Sequence, residues 1–99
     1  MVEGAVVIVS FRGRAVEAVA AGKAPKSFPA DLVARAERRL RAVANAVELQ
    51  DLRSPPGNHL EALKGNRTGQ HSIRINDQWR ICFRWTEAGA EDVEIVDYH

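Results

Sequence analysis

SIRINDQWRICFRW, residues 72–85, decides the fold. Its side chains alternate with a period of two on either side of a short polar break. Ile73 and Ile75 share one face, with Ser72, Arg74 and Asn76 on the other. After Asp77 the pattern resumes: Trp79, Ile81, Phe83 and Trp85 on one face, Arg80, Cys82 and Arg84 on the other. Successive strand residues point to opposite sides, so the stretch reads as two half-buried strands with a turn at Asp77. The apolar face needs a cover. The other face carries Arg74, Arg80 and Arg84, which are exposed or line a groove.

Upstream of this pair, residues 59–64 are predicted as a short strand and residues 65–69 as a turn. Downstream, Gly89 lies in a turn and residues 93–98 form a last strand. Before residue 55 the period changes. Leu32, Val33, Ala36, Leu40, Val43, Ala44 and Val47 recur at helical spacing, with Arg35, Arg38, Arg39 and Arg41 mostly off that stripe. Pro29 suits the first turn of this helix, where its missing N–H has no partner to lose. Leu49 and Leu52 extend the helical region until Pro55-Pro56-Gly57 breaks it. Residues 14–21 favour a shorter helix stopped by Gly22, and residues 6–11 (VVIVSF) read as a buried first strand. The expected fold class is therefore α+β: an N-terminal strand and two helices packed on one face of an antiparallel sheet of three or four strands.

A chain of 99 residues fits a single domain over residues 1–99, and 45% hydrophobic content excludes a disordered chain. The lone Cys82 excludes an internal disulfide and a multi-cysteine zinc site. The longest apolar run, residues 5–9, is too short for a membrane span and lacks signal-peptide flanks, so a cytoplasmic protein without membrane contact is expected. The net charge of +1 hides an uneven distribution: +2 over residues 1–52, +4 over residues 53–84 and −5 over residues 85–99. A basic middle carried on strands fits either a polyanion partner or a solvated sheet face.

No phosphate-binding glycine loop, zinc-protease helix or serine nucleophile motif occurs. His59, His71 and His99 are scattered without metal-ligand spacing, so neither a metal nor a cofactor is expected. Cys82, flanked in its strand by Arg80 and Arg84, is either an activated thiolate or a small core residue, and the second reading fits its strand better. The ending is unusual. Asp97-Tyr98-His99 sets three groups capable of hydrogen bonding or proton transfer directly after a predicted strand, which would hold them in place.

Three features point to a family. The run SPPGNHLEALKGNRTGQHSIRINDQWRICFRW, residues 54–85, with its Lys64-Gly65 pair, resembles the centre of HigB-type toxins of the RelE superfamily, including the GraT branch. VEIVDYH, residues 93–99, resembles their C-terminus, and Val9-Ser10-Phe11 their opening strand. The resemblance implies a RelE-like fold with a curved sheet. It implies a ribosome-dependent endoribonuclease that cuts messenger RNA in the A site. It also implies a HigA-like helix-turn-helix antitoxin partner, through which alone operator DNA would be bound. The family's functional positions fall on Lys64, Arg80, Asp97, Tyr98 and His99. Some relatives carry a histidine where this chain has Glu61. Either Glu61 or His59, which would share a strand face with it, takes that role, or none is needed. Against the family pattern residues 1–5 are extra, as either an over-extended start or a lengthened first strand.

Metal-free RNA cleavage uses the substrate's own 2′-OH as nucleophile. The enzyme removes that proton, stabilises negative charge on phosphorus and protonates the leaving 5′-oxygen. Arg80 suits the phosphate clamp and Lys64 a second positive charge. His99 and Tyr98 suit proton transfer, with Asp97 or Glu61 as orienting group or alternative base. Arg67, Arg74, Arg84 and His59 are candidate RNA contacts, while Trp79 and Trp85 belong to the apolar face. Competing readings on the same fold are an RNA- or ribosome-binding module that does not cut, a co-repressor partner of the antitoxin, and a gyrase poison.

Overall fold

The computed structural model describes residues 8–98. Within them, helix α1 spans Arg14–Ala20 and helix α2 spans Val33–Asn45, entered through a single 3₁₀ turn at Ala30–Leu32. Strands follow at Glu61–Ala62 (β1), His71–Arg74 (β2), Trp79–Thr86 (β3) and Gly89–Asp97 (β4). They form one antiparallel sheet in the order β1-β2-β3-β4.

The period-two reading of residues 72–85 fixes the register. Ile73 stands opposite Ile81, and Ile81 opposite Ile95. Ile73, Ile81, Phe83 and Val93 are fully buried together with Val16 and Val19 of α1 and Ala36, Leu40 and Val43 of α2. The apolar stripe of α2 and one sheet face thus meet in a single core, which is the burial that stabilises both. Trp79 and Trp85 pack against it, Trp79 edge-on to Phe28 with ring centroids 4.9 Å apart. Cys82 is buried and free.

The helical region does not run on through Leu49 and Leu52. Ala46 turns extended, and a separate 3₁₀ helix at Leu49–Arg53 starts with a capping box of Glu48 and Asp51. The strand expected over residues 59–64 shrinks to two residues, because His59 adopts a left-handed backbone (φ 46°) that no strand tolerates.

The expected N-terminal strand is corrected. Residues 6 and 7 lie outside the described residues, as does the extension at residues 1–5. Across residues 8–11 no strand forms, and only isolated parallel bridges join Ile8 to Ala90 and Phe11 to Val93. The reason lies in β4. Its pairing with β3 slips between Cys82 and Arg84, and Asp92 sits at φ 52°, so β4 carries a bulge. Ser10 clasps that bulge: its hydroxyl accepts the Asp92 N–H at 2.9 Å and its carbonyl the Val93 N–H at 3.0 Å. A continuous ladder cannot run past such a bend. The bulge also flips the alternation, which lets Ala90 and Val93, three residues apart, both face the core.

Candidate functional site

On the sheet face away from the helices, strand register brings Glu61, Ser72, Cys82 and Glu94 into one row across β1 to β4. The next row holds Arg74, Arg80 and Val96. This face is not simply wet. Ser72 and Cys82 are fully buried on it, covered by their own polar neighbours.

Arg80 organises the site. Its side chain is only 14% exposed. Nε donates to Ser72 Oγ at 2.8 Å, and Nη2 donates to the His59 carbonyl at 2.7 Å while standing 3.2 Å from Glu61 Oε1. The left-handed turn at His59 is what aims that carbonyl. Asn58 anchors the turn from inside, donating to the carbonyls of Leu52 at 3.1 Å and Ser54 at 3.2 Å. A guanidinium carries five N–H donors, so the two on Nη1 remain for an incoming anion. The guanidinium also lies over the Tyr98 ring, 5.9 Å from its centroid.

Tyr98 is half-buried, with its hydroxyl beside the Cys82 thiol. Burial, then the neighbouring Cys82, pushes the phenol pKa up. Burial likewise raises the Cys82 thiol, against the partial counter-effect of Arg67. Both groups therefore keep their protons at neutral pH, and Tyr98 presents an acid rather than a base. Cys82 is a buried thiol, as its strand position suggested, and not an activated one. The linkage has a definite sign. Groups whose pKa is raised by folding stabilise the native state below their unfolded values, near 8.5 for Cys and 10 for Tyr, and that contribution is lost as pH rises beyond them. The melting temperature should fall progressively above about pH 8.5, and Cys82→Ala should flatten the first part of that fall. An unchanged profile in the variant would show that Cys82 contributes nothing to it.

Arg67, a candidate RNA contact by sequence, is engaged. Its Nη1 donates to Glu94 Oε1 at 2.7 Å and Gln70 Oε1 at 3.0 Å, and the bond to Glu94 raises its pKa. It acts here as a strut beneath Tyr98 and Cys82. Glu94 was missed by sequence reasoning, although its place two residues before Val96 on the arginine-bearing face was available from alternation. Lys64 is exposed at the mouth of the turn that follows β1, with no side-chain partner among the described residues. Gly65 behind it sits at φ +68°, which a β-carbon would strain. Arg84 is exposed and fills the space that Gly69 leaves: a β-carbon there would stand 2.8 Å from Arg84 Nη1. Arg74 pairs with Asp77.

The terminal residues separate. Asp97 stands opposite Trp79, on the helix side of the sheet, where its carboxylate accepts both bonds from Gln78 Nε2 at 3.2 Å. Tyr98 faces Arg80, its backbone N–H tied to the Gln78 carbonyl at 2.6 Å. His99 lies outside the described residues. Among the described residues no three His, Cys, Asp or Glu side chains converge to hold a metal, and no helix is long and apolar enough to cross a membrane. A concavity of about 330 Å³ is lined by Leu49, Arg53, Leu60, Ala62 and His71 among others, and neither Arg80 nor any of its partners lines it.

An arginine braced by Ser72, the His59 carbonyl and Glu61 organises this face of the sheet, and comparison with known proteins gives the chain its class. The family profile that matches residues 15–99 describes the RelE-like toxin of the type II toxin–antitoxin system HigB. The chain belongs to this HigB-like family of RelE-type toxins. It is 45% identical over 53 residues to toxin HigB-1 of Vibrio cholerae, covering 54% of this chain and 56% of that protein. It is 34% identical over 64 residues to an uncharacterized protein of Haemophilus influenzae, covering 65% of this chain and 63% of that protein. To the endoribonuclease HigB of Proteus vulgaris it is 32% identical over 92 residues, 93% of this chain and 99% of that protein. The first two alignments thus span between half and two thirds of those relatives.

Proposed function

We propose that this chain is a ribosome-dependent endoribonuclease that cuts messenger RNA in the A site by metal-free acid–base chemistry. Its partner in the cytoplasm is a HigA-like helix-turn-helix antitoxin, which alone carries the pair to operator DNA. Family membership and the endoribonuclease name of the Proteus relative support this reading. The observation that carries it is Arg80, held by Ser72, His59 and Glu61 through Nε and Nη2, with Nη1 making no hydrogen bond among the described residues.

The substrate's 2′-OH attacks the adjacent phosphorus and gives its proton to a base. The bond from phosphorus to the 5′-oxygen breaks, that oxygen takes a proton from an acid, and a 2′,3′-cyclic phosphate and a 5′-hydroxyl result. Arg80 Nη1 meets the phosphate oxygen on which charge builds, and its other donors are already fixed, so little reorganisation accompanies reaction. Lys64 adds positive charge at the groove mouth. Tyr98 holds its proton at neutral pH, and turning its hydroxyl from Cys82 to the leaving oxygen makes it the acid. His99 is the base, with the Glu61 carboxylate beside Arg80 as the alternative. Asp97 orients the chain end through Gln78. Arg74, Arg84 and His59 line the RNA path, and Arg67 braces it.

Few groups position the substrate, so the ribosome must supply part of the alignment. Purified protein should cut a message on programmed ribosomes and leave the same message intact when free. Equal cleavage of naked message would refute the ribosome dependence. Binding to ribosomes without any cleavage would make the protein a non-cutting module.

A further inference from the structure

A second group of like charges stands where side chains of α2 reach the end of β2. Arg35, Arg38 and Arg39 lie off the buried stripe of Ala36, Leu40 and Val43. Arg39 Nε donates to the Arg74 carbonyl at 3.1 Å, and Arg35 Nη1 to the Ile75 carbonyl at 3.5 Å, so both side chains lie over the end of β2. Burial, then the charges of Arg35, Arg38 and Arg74, lower the pKa of Arg39, which marks these cations as crowded within electrostatic reach of one another. Among the described residues only Asp77, on Arg74, makes an ion pair with any of the four. Glu37 on the same helix pairs with Arg41 instead, at 3.4 Å.

Four cations with one counter-charge repel one another, and a bound polyanion relieves that repulsion. Arg74 links the cluster to Arg80, because it stands directly opposite Arg80 in the ladder and on the same face. Guanidinium forks match phosphate oxygens, and a row of them matches the repeating charge of a nucleic-acid backbone. We propose that Arg74, Arg39, Arg38 and Arg35 form a ridge that takes the phosphodiester backbone of RNA leading away from Arg80. The proposal rests on the reading of this chain as a ribonuclease that works on the ribosome, and it adds α2 to the RNA-contact surface.

The test is the double variant Arg35→Gln with Arg38→Gln. Both residues are exposed and glutamine is as good a helix former as arginine. Two probes are titrated between about 50 and about 200 mM salt: a short, fully 2′-O-methylated single-stranded RNA, and ribosomes carrying a message 2′-O-methylated in the A-site codon. Each phosphate contact contributes roughly 0.7 to the slope of log affinity against log salt, so two lost contacts remove about 1.4. The salt-induced loss of affinity over that range then shrinks about sevenfold relative to the parent. A shallower slope with both probes assigns the ridge to the message strand, and with ribosomes alone to ribosomal RNA. Unchanged slopes with both probes overturn the proposal, as does failure of the parent to bind either. Weakened antitoxin binding with unchanged RNA slopes makes the ridge a protein interface and also overturns it. A parent that binds ribosomes with the full slope but leaves an unmethylated message intact sinks the ribonuclease reading and leaves the ridge standing.

Discussion

Replacing Arg80 by alanine should lower cleavage of message on programmed ribosomes by roughly 10²–10³-fold, the usual effect of removing one preorganised donor to a developing negative charge. The loss should appear in the single-turnover rate at saturating ribosomes, because the Nη1 donors are most valuable once charge accumulates on phosphorus. From sequence alone, truncation on an open sheet face should cost little stability. The structure changes that expectation. Arg80 is the donor to Ser72 Oγ, and Ser72 is fully buried. Leaving that hydroxyl and the His59 carbonyl unpaired costs about 1–3 kcal/mol. The alanine variant should therefore melt earlier as well as cut slowly, and the two effects need separating. Arg80→Lys does so. It keeps a positive charge but cannot bridge Ser72, the His59 carbonyl and Glu61 at once, and it cannot offer a fork to phosphate. A folded lysine variant with parental cleavage would show that only charge is needed there. A folded alanine variant with parental cleavage would remove Arg80 from the site.

Removal of the two proposed proton carriers is the second large effect. Tyr98→Phe keeps the ring under Arg80 and removes only the hydroxyl. Its loss as general acid should slow cleavage by roughly 10²–10⁴-fold. The ring stays in place beside Cys82, so melting should change little. Deleting His99 should slow cleavage within the same rough 10²–10⁴-fold range, with melting close to the parent's. Single-turnover cleavage across pH separates the two roles. Loss of a base removes the acid limb of the profile, and loss of an acid removes the alkaline limb. If the chain without His99 cuts within a few-fold of the parent, Glu61 is the base and Tyr98 its acid. If Tyr98→Phe also cuts at the parental rate, the phenol serves only to hold Arg80.

Some of this site was open to sequence reasoning and was passed over. Adjacent strand residues face opposite sides, so Asp97 and Tyr98 could not both turn toward Arg80 in a regular strand. The same alternation puts Glu94 beside Cys82. Other parts had no local signal. Arg67 and Glu94 are 27 residues apart and meet only because β4 closes against the turn that precedes β2. The left-handed His59, whose carbonyl holds Arg80, depends on a buried Asn58 anchored to Leu52 and Ser54.

By itself the sequence determined the order of helices and strands after residue 13, the faces of the two strands over residues 72–85, and the side of the sheet on which Arg74, Arg80 and Arg84 stand. Those are consequences of periods of 3.6 and 2, which are written along the chain. Only the tertiary structure decided that the open face is partly closed, that Ser72 and Cys82 lie beneath Arg80 and Tyr98, and that the segment at residues 8–11 clasps a bulge instead of joining as a strand. Each depends on contacts between residues far apart in the chain, where hydrogen-bond satisfaction and packing override local preference, and no periodicity records them.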